Sequence, residues 1–555
     1  MLSLRPASAP LTVLIILALA LLLALGAPGL SAQQAPGPSP DFLLPGTQAG
    51  QVGTDVIMGS ANCSGCHAGY DEQNAPVDTW SGSLMAQAGR DPLFFAQMST
   101  ANQDVPGVGY FCMRCHVPNS FVTGHALQPD GSTLDDFDRE GVSCHFCHSM
   151  ADPTFEPGIS PDEDAAVLAQ HEALPEHFAN AMFVLDPTGT RRGPRPDALS
   201  THETIYSPFH SSSEMCGTCH DVGNVAVTRR ADGVYTYNAP GIPTPNTDAH
   251  SQFPLERTYT EWKLSEFAQQ GVDMGGRFGG EGVTTVSSCQ DCHMPRAPGR
   301  AAFFGPHRED VARHDFAGAS AWVLEAIALN EQDNPEVDQK SLRVARDKAV
   351  DMLQRAASLT LRRGRKMLIV RVTNETGHKL PTGHIEGRRV FLNIQFLDAR
   401  GRLIREHGHY DHETAHLDEA STRIFEMQVG LSAQAAQATG LSPGVTTHMT
   451  LANTIEKDNR IPPRGFENAA FEAGGAPVVG ATYADGQHWD DSRWPIPRRA
   501  RKARVTLYYQ TVTRHYIEAL RDGNHTDSKG RELFELWEKT GKGAPIAMTS
   551  KEIQL

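Results

Sequence analysis

The sequence predicts an α plus irregular domain followed by a helix and an antiparallel β-sandwich-like C-terminal domain. Three observations predict it. A Cys-x-x-Cys-His pattern repeats five times and is confined to residues 63–293. Apolar residues then recur at helical spacing from Val337 to Ala356. From Leu359 onward the apolar period falls to two. These signals divide the chain into a leader (1–32), a linker (33–58), the region holding the repeat (59–320), a connecting helical segment (321–358) and a β-region with a C-terminal tail (359–555).

Residues 1–32 read as an export signal. One arginine in MLSLRPASAP precedes the apolar run Leu11–Leu25, and small residues near LSAQQ and ALGAP offer cleavage points. That run is 15 residues long, short for a membrane span, and an uncleaved anchor is the alternative. Residues 33–58, rich in Pro, Gly and Gln, read as a linker. Within 59–320 regular structure should be sparse: ISPDEDAAVLAQHEALPEHF and TYTEWKLSEFAQQ look helical, whereas SPFHSSSE and NAPGIPTPNTD look like loops. Asn334 and Pro335 form an N-cap and first-turn pair for a helix from about 335 to 357, with Val337, Leu342, Ala345, Ala349, Met352, Leu353 and Ala356 on its apolar face. Leu368, Val370 and Val372, then Val390, Leu392, Ile394 and Phe396, then Val505, Leu507 and Tyr509 alternate as strands. Turn residues between these runs suggest the antiparallel β-sandwich.

The chain holds ten cysteines, and every one falls in the repeat: Cys63, Cys66 with His67; Cys112, Cys115 with His116; Cys144, Cys147 with His148; Cys216, Cys219 with His220; Cys289, Cys292 with His293. At this composition about 0.008 such matches would arise by chance. A zinc ribbon also pairs CxxC motifs, but it needs no histidine directly after each second cysteine, and five pairs do not divide into four-ligand sites. CxxCH is the signature of covalent haem attachment. The thiols add across the porphyrin vinyl groups, and the histidine supplies a neutral imidazole to the iron from the same side. The reading is a pentahaem c-type cytochrome with five covalently attached c-type haems. With every thiol so committed, no disulfide can staple the fold. His145, between Cys144 and Cys147, cannot reach back to that iron and reads as a polar residue at the haem edge.

The formal charge of −16 grows more negative once each haem adds two propionates. That argues against nucleic acid and for basic partners or a neutral membrane surface at most; the haem reading itself implies redox partner proteins, a quinol-oxidising complex or other cytochromes. Haem attachment machinery is a second expected partner, and membrane contact is expected only through the N-terminal segment if it stays uncleaved. Haem is attached outside the cytoplasmic membrane, so the protein is expected to be periplasmic or on the outer cell surface.

Function turns on the sixth ligand of each iron. A haem closed by two protein ligands carries electrons, whereas one with an open position can transform a small molecule. Of 24 histidines, 19 remain after the five motif histidines, and most must be ordinary polar residues. His202, His210 and His314 are distal candidates in the motif region, with His125, His171, His177, His250 and His307 also present there. His210 lies six residues before Cys216, too close to fold onto that haem, and suits a neighbouring one.

The fragments GVSCHFCH, SSEMCGTCHDVGN and HDFAGAS resemble the haem domain of multihaem c-type cytochromes related to hydroxylamine-oxidation electron carriers and multihaem nitrite reductases, over about residues 59–320. In that group a WxxSxH arrangement often follows the first motif and its histidine is an axial ligand. Here Trp80 and Ser83 match, but the histidine position holds Met85. The resemblance implies Met85 as a ligand, which would raise the potential of one haem; packing against a porphyrin face is the alternative. GHKLPTG resembles a motif that follows the haem domain in large exported multihaem cytochromes, and implies His378 as a distal ligand delivered by the β-domain. HGHYDHETAH, with His407, His409, His412 and His416, fits no standard zinc spacing and reads as a strand and its turn.

The leading expectation is an exported electron-transfer protein in a respiratory or extracellular pathway, with no catalytic residue assigned. The first alternative is an oxidoreductase acting on a nitrogen or sulfur oxyanion at one open haem. The lysine-ligated CxxCK motif usual in nitrite reductases of the resembling group is missing from the sequence, which weakens that reading. The second alternative is a subunit of an extracellular cytochrome assembly.

Overall fold

The structure, a computed structural model, describes residues 42–125 and 128–555; the export signal read at residues 1–32 lies outside the described residues. The motif region is built from short helices and small sheets, antiparallel except where Arg191–Gly193 pairs in parallel with Thr204–Tyr206. We label the helices α1 (Ala61–His67), α2 (Pro92–Asp104), α3 (Gly109–His116), α4 (Cys144–His148), α5 (Ser213–Gly217), α6 (Cys289–His293), α7 (Ala321–Asn330), α8 (Gln339–Arg355), α9 (Arg514–Gly523) and α10 (Lys529–Lys539). The strands are β1 (Val222–Arg229), β2 (Gln252–Glu256), β3 (Ala357–Arg363), β4 (Met367–Asn374), β5 (Arg389–Leu397), β6 (Leu403–His407), β7 (Trp489–Pro495), β8 (Lys502–Gln510) and β9 (Ile546–Gln554).

The sparse regular structure of the motif region follows from its sequence. Helices there stop within a few turns, and several start at a side-chain cap or a proline. In α2, the Asp91 side chain accepts from the backbone N–H groups of Leu93 and Phe94, and Pro92 fills the first turn. The stretch ISPDEDAAVLAQHEALPEHF is helical only over Asp162–Leu168. TYTEWKLSEFAQQ forms two helices, Thr258–Lys263 and Glu266–Gln270, broken at Ser265, whose hydroxyl donates to the Trp262 carbonyl at 2.7 Å. Residues 42–58 do not behave as a free linker. Phe42, Leu44, Val52 and Ile57 are buried among apolar side chains of the motif region, and that burial outweighs a Pro- and Gly-rich composition.

In the connecting segment the helix expected from about 335 to 357 begins later, at Gln339. Asp338, not Asn334, is its cap, accepting from the Lys340 N–H at 2.8 Å. Asn334 instead accepts from the Glu336 N–H at 3.0 Å and closes a turn of its own. A further helix, α7, precedes it. Ala321, Trp322, Val323, Leu324, Ala326 and Ile327 are buried nearly all round its axis, so it carries no polar stripe for periodicity to register.

Beyond residue 357 the strands form where the period of two places them. β3, β4 and β7 make a three-stranded antiparallel sheet. A five-stranded sheet runs β6-β5-β8-β9, with Ile424–Phe425 also paired to β5. Leu359, Leu368, Val370 and Val372 from the first sheet share one apolar core with Val390, Leu392, Ile394, Val505 and Leu507 from the second. Helices α9 and α10 interrupt the C-terminal region. Tyr516, Ile517, Leu520, Leu533 and Trp537 on them pack with Ala96 of α2 and with Trp322, Leu324 and Leu342 of α7 and α8, fastening the end of the chain to the motif region.

Candidate functional site

An α-helix brings residues i, i+3 and i+4 to one face. The pattern Cys-x-x-Cys-His therefore presents two thiols and an imidazole together wherever it is helical, and it is helical in α1, α3, α4 and α6. In the fourth motif α5 ends at Gly217, but the turn continues through the hydrogen bond from His220 N–H to the Cys216 carbonyl at 3.0 Å. Ser143 caps α4 by accepting from Phe146 N–H, and Ser288 and Asp291 form a capping box on α6.

All ten cysteines and all five motif histidines line a single cavity of about 1800 Å³. Thiols of different motifs meet within it: Cys63 with Cys144, Cys115 with Cys219, and Cys216 with Cys289. The motifs are thus linked first to third, second to fourth and fourth to fifth, which is not their order in the chain. Met85, His202, His210, His314 and His378 line the same cavity. His125, His171, His177, His250 and His307 do not; His125 pairs with Asp138 at 2.8 Å instead.

The motif imidazoles differ in what their Nδ1 atoms meet. That of His67 lies 2.6 Å from the Ala301 carbonyl, that of His148 2.7 Å from the Arg192 carbonyl, and that of His293 2.8 Å from the Ala317 carbonyl. His220 Nδ1 meets a carboxylate, Glu256 Oε1, at 3.0 Å. His116 Nδ1 is buried with no hydrogen-bond partner among the described residues, and its ring stacks on Phe94 at 3.8 Å. An Nδ1–H donor fixes the tautomer and leaves Nε2 as the lone-pair nitrogen for a metal.

The other histidines are placed unequally. Two imidazoles bound on opposite sides of one ion, with metal–nitrogen bonds of about 2.0 Å, have ring centroids about 6 Å apart. His67 and His202 stand at 6.5 Å, and His148 and His314 at 6.4 Å. His210 stacks on His148 at 5.5 Å with 17° between planes, and its Nε2 meets the Cys147 carbonyl at 3.1 Å, so it lies against the third motif and not the fourth, which follows it in the chain. His314 Nδ1 meets the Ala312 carbonyl at 3.2 Å, and His378 Nδ1 the Lys379 carbonyl at 3.1 Å. Burial holds these rings neutral, pushing His314 and His210 down to about 3 and His378 to about 4. A neutral ring is the form that can coordinate. His145 spends both ring nitrogens on the backbone, accepting from Met58 N–H at 2.9 Å and meeting the Gly189 carbonyl at 2.8 Å.

A buried ionic cluster delivers the GHKLPTG loop to the cavity. Lys379 is fully buried, and its Nζ donates to Asp458 Oδ2 at 2.7 Å and to the Ala476 and Pro477 carbonyls at 2.9 Å each. Arg460 bridges Asp458 at 2.7 Å and Glu261 at 3.0 Å, and Glu261 accepts from Lys379 N–H at 3.0 Å and Thr382 Oγ1 at 2.6 Å. Two cations and two carboxylates balance, as an ion cluster removed from water requires. Burial raises Asp458, but the charges of Arg460 and Lys379 outweigh it and hold that carboxyl below its usual range.

The same loop carries a residue that sequence reading missed. His384 lines the cavity, with Nε2 2.9 Å from Gln97 Nε2. Burial pushes it down to about 4, and the charges of Arg388 and His116 act in the same direction. The available signal was the second histidine of GHKLPTGH. The four histidines of HGHYDHETAH do not converge: His407 packs on Trp494, His409 pairs with Glu406 at 3.0 Å, and His412 packs edge-on against Tyr410.

These residues fit a haem at each motif. The cavity supplies paired thiols, apolar walls, the guanidinium groups of Arg191 and Arg388 for propionates, and motif imidazoles of which burial holds His116, His148 and His293 neutral, while, against burial, the Glu256 carboxylate raises His220 to about 9.

No protein-family model matches the chain, and no curated protein matches it. Among solved structures, the crystal structure of a penta-heme cytochrome c552 from Thermochromatium tepidum is similar, with a TM-score of 0.49 and 16% sequence identity, over 91% of this chain and 100% of that chain. At that level the similarity assigns no residue a role, and function has to be read from this chain's own cavity.

Proposed function

We propose that the protein is an exported pentahaem c-type cytochrome that carries electrons along covalently bound haems in a respiratory or extracellular pathway. One observation carries the reading: ten thiols and the five histidines that follow them open into one cavity. Thiol contacts join the first motif to the third and the fourth to the second and fifth, and Cys147 of the third motif packs on the same apolar cluster as Cys219 of the fourth. Haems seated on them would lie close enough to exchange electrons without a mobile carrier. The chain's own residues then set ligand identity, hydrogen bonding and nearby charge at each iron. In this reading the C-terminal sheets form the β-sandwich-like domain, and its GHKLPTG loop brings His378 into the cavity that His293 of the fifth motif also lines.

The test is an absorption spectrum of the dithionite-reduced protein before and after carbon monoxide, with the haem-to-protein ratio measured on the same sample. Five haems with no response to carbon monoxide are expected. A haem that binds the gas would move the function to small-molecule chemistry at that iron, and a ratio below five would overturn the pentahaem reading.

A further inference from the structure

The five motif histidines are not equivalent, and one of them stands apart in kind. Three meet backbone carbonyls through Nδ1 and a fourth, His116, meets nothing among the described residues, whereas His220 meets the Glu256 carboxylate. We infer that Glu256 makes the haem of the fourth motif the lowest-potential centre of the five; the inference rests on the pentahaem reading. A carboxylate acceptor draws the Nδ1 proton toward itself and gives the imidazole partial imidazolate character. A more basic ligand stabilises ferric over ferrous iron. The negative charge of Glu256, only partly exposed, would act in the same direction beside an iron.

The contact is built, not incidental. Glu256 ends β2, and the next residue, Arg257, is buried and locks that strand end by donating to Asp221 Oδ1 at 3.1 Å, the Val222 carbonyl at 2.8 Å and the Gln252 carbonyl at 3.1 Å. On the other side Tyr259 N–H donates to the His220 carbonyl at 2.9 Å. The two partners are therefore held from both ends of one short segment. Thr258 Oγ1 donates to the same Glu256 oxygen at 3.1 Å and accepts from Gly383 N–H at 3.1 Å, so the GHKLPTG loop reaches the carboxylate through one hydroxyl. The fourth motif also touches the second and fifth through its thiols. A low-potential centre at that junction fills last, so electrons crossing between the arms pass over it as an uphill step.

The experiment is a spectroelectrochemical titration of the holoprotein, each step adding one electron from dithionite to one ferric iron, on wild type, Glu256→Gln and Thr258→Val. Haem content is counted on each sample. Glu256→Gln keeps the shape but removes the charge, and should move the lowest step positive by at least tenfold in its equilibrium constant, about 59 mV for a one-electron couple, with the other four steps in place. Thr258→Val removes a competing donor from the carboxylate and should move the same step negative. If Glu256→Gln loses its haem, the sign of the Thr258→Val shift decides alone. Five haems with an unmoved lowest step, or a shift confined to another step, overturn the inference. Fewer than five haems in the wild type overturns the haem reading beneath it instead.

Discussion

His148 has two imidazole neighbours, and they differ in which ring nitrogen the backbone engages. His314, at 6.4 Å, turns Nδ1 to the Ala312 carbonyl and leaves Nε2 as its lone-pair nitrogen, whereas His210, at 5.5 Å, spends Nε2 on the Cys147 carbonyl. Replacing His314 by alanine should therefore turn one haem high-spin and carbon monoxide-reactive, while His210→Ala should leave all five low-spin. The reverse pattern in the reduced spectra would exchange the assignments. Lys379 is the second residue whose environment dictates a large effect. Its ammonium is fully buried against Asp458, so Lys379→Met leaves two carboxylates facing one arginine. Breaking such a buried pair costs about 3–5 kcal/mol. The thermal midpoint should fall clearly, and an unchanged midpoint would mean the cluster does not fasten the loop.

Among the elements, those that sequence made legible were the ones whose signal is local. The motif helices follow from the geometry of Cys-x-x-Cys-His on a single turn, and β4 follows from the alternation of Leu368, Val370 and Val372. The elements that were missed lack such a signal or compete with one. Helix α7 is buried all round, Asp338 outcompetes Asn334 as a cap, and the α9–α10 hairpin was hidden within a region otherwise read as strands. The site divides in the same way. Thiols and motif histidines are fixed by spacing, whereas the approach of His202, His314 and His384 depends on loops brought together by the whole fold. One link between elements should respond to pH. His448 in the C-terminal region meets Asp104 at the end of α2 at 2.9 Å, and that hydrogen bond raises the imidazole above its ordinary 6.5. A raised folded-state value stabilises fully below pH 6.5 and is lost as pH rises through the raised value. The pair is partly exposed, so it contributes under about 1 kcal/mol. The difference in urea midpoint between wild type and His448→Gln should shrink as pH rises above 6.5; a constant difference would exclude the pair as its source.

On the scale of the whole molecule, the two halves have different sources of stability. The C-terminal sheets bury Leu368, Val370, Leu392, Ile394, Val505 and Leu507 in an apolar core of their own, which also takes in Leu353 and Ala356 at the end of α8. The motif region instead surrounds a cavity of about 1800 Å³, and its short helices and small sheets form several separate apolar clusters in place of one core. Its thiols are all unpaired cysteines, so no crosslink holds the segments together. Haem is what would fill that space and tie each helix through two thioethers. Chain made without haem attachment should therefore lose structure from the motif region first. Under limited proteolysis, cleavage is expected within residues 59–320, while a fragment carrying the core from about residue 353 onward persists. In the haem-loaded protein the same sites should be protected. The α9–α10 hairpin sets the sharpest part of this expectation, because it packs on α2, α7 and α8 and links the halves. If the motif region melts, that hairpin loses the α2 side of its contacts and should become the next cleavage site, after residues 59–320 and before the sheets. Equal resistance of the two halves without haem would show that the cavity walls are stable unfilled, and that the prosthetic groups carry electrons without holding the fold together.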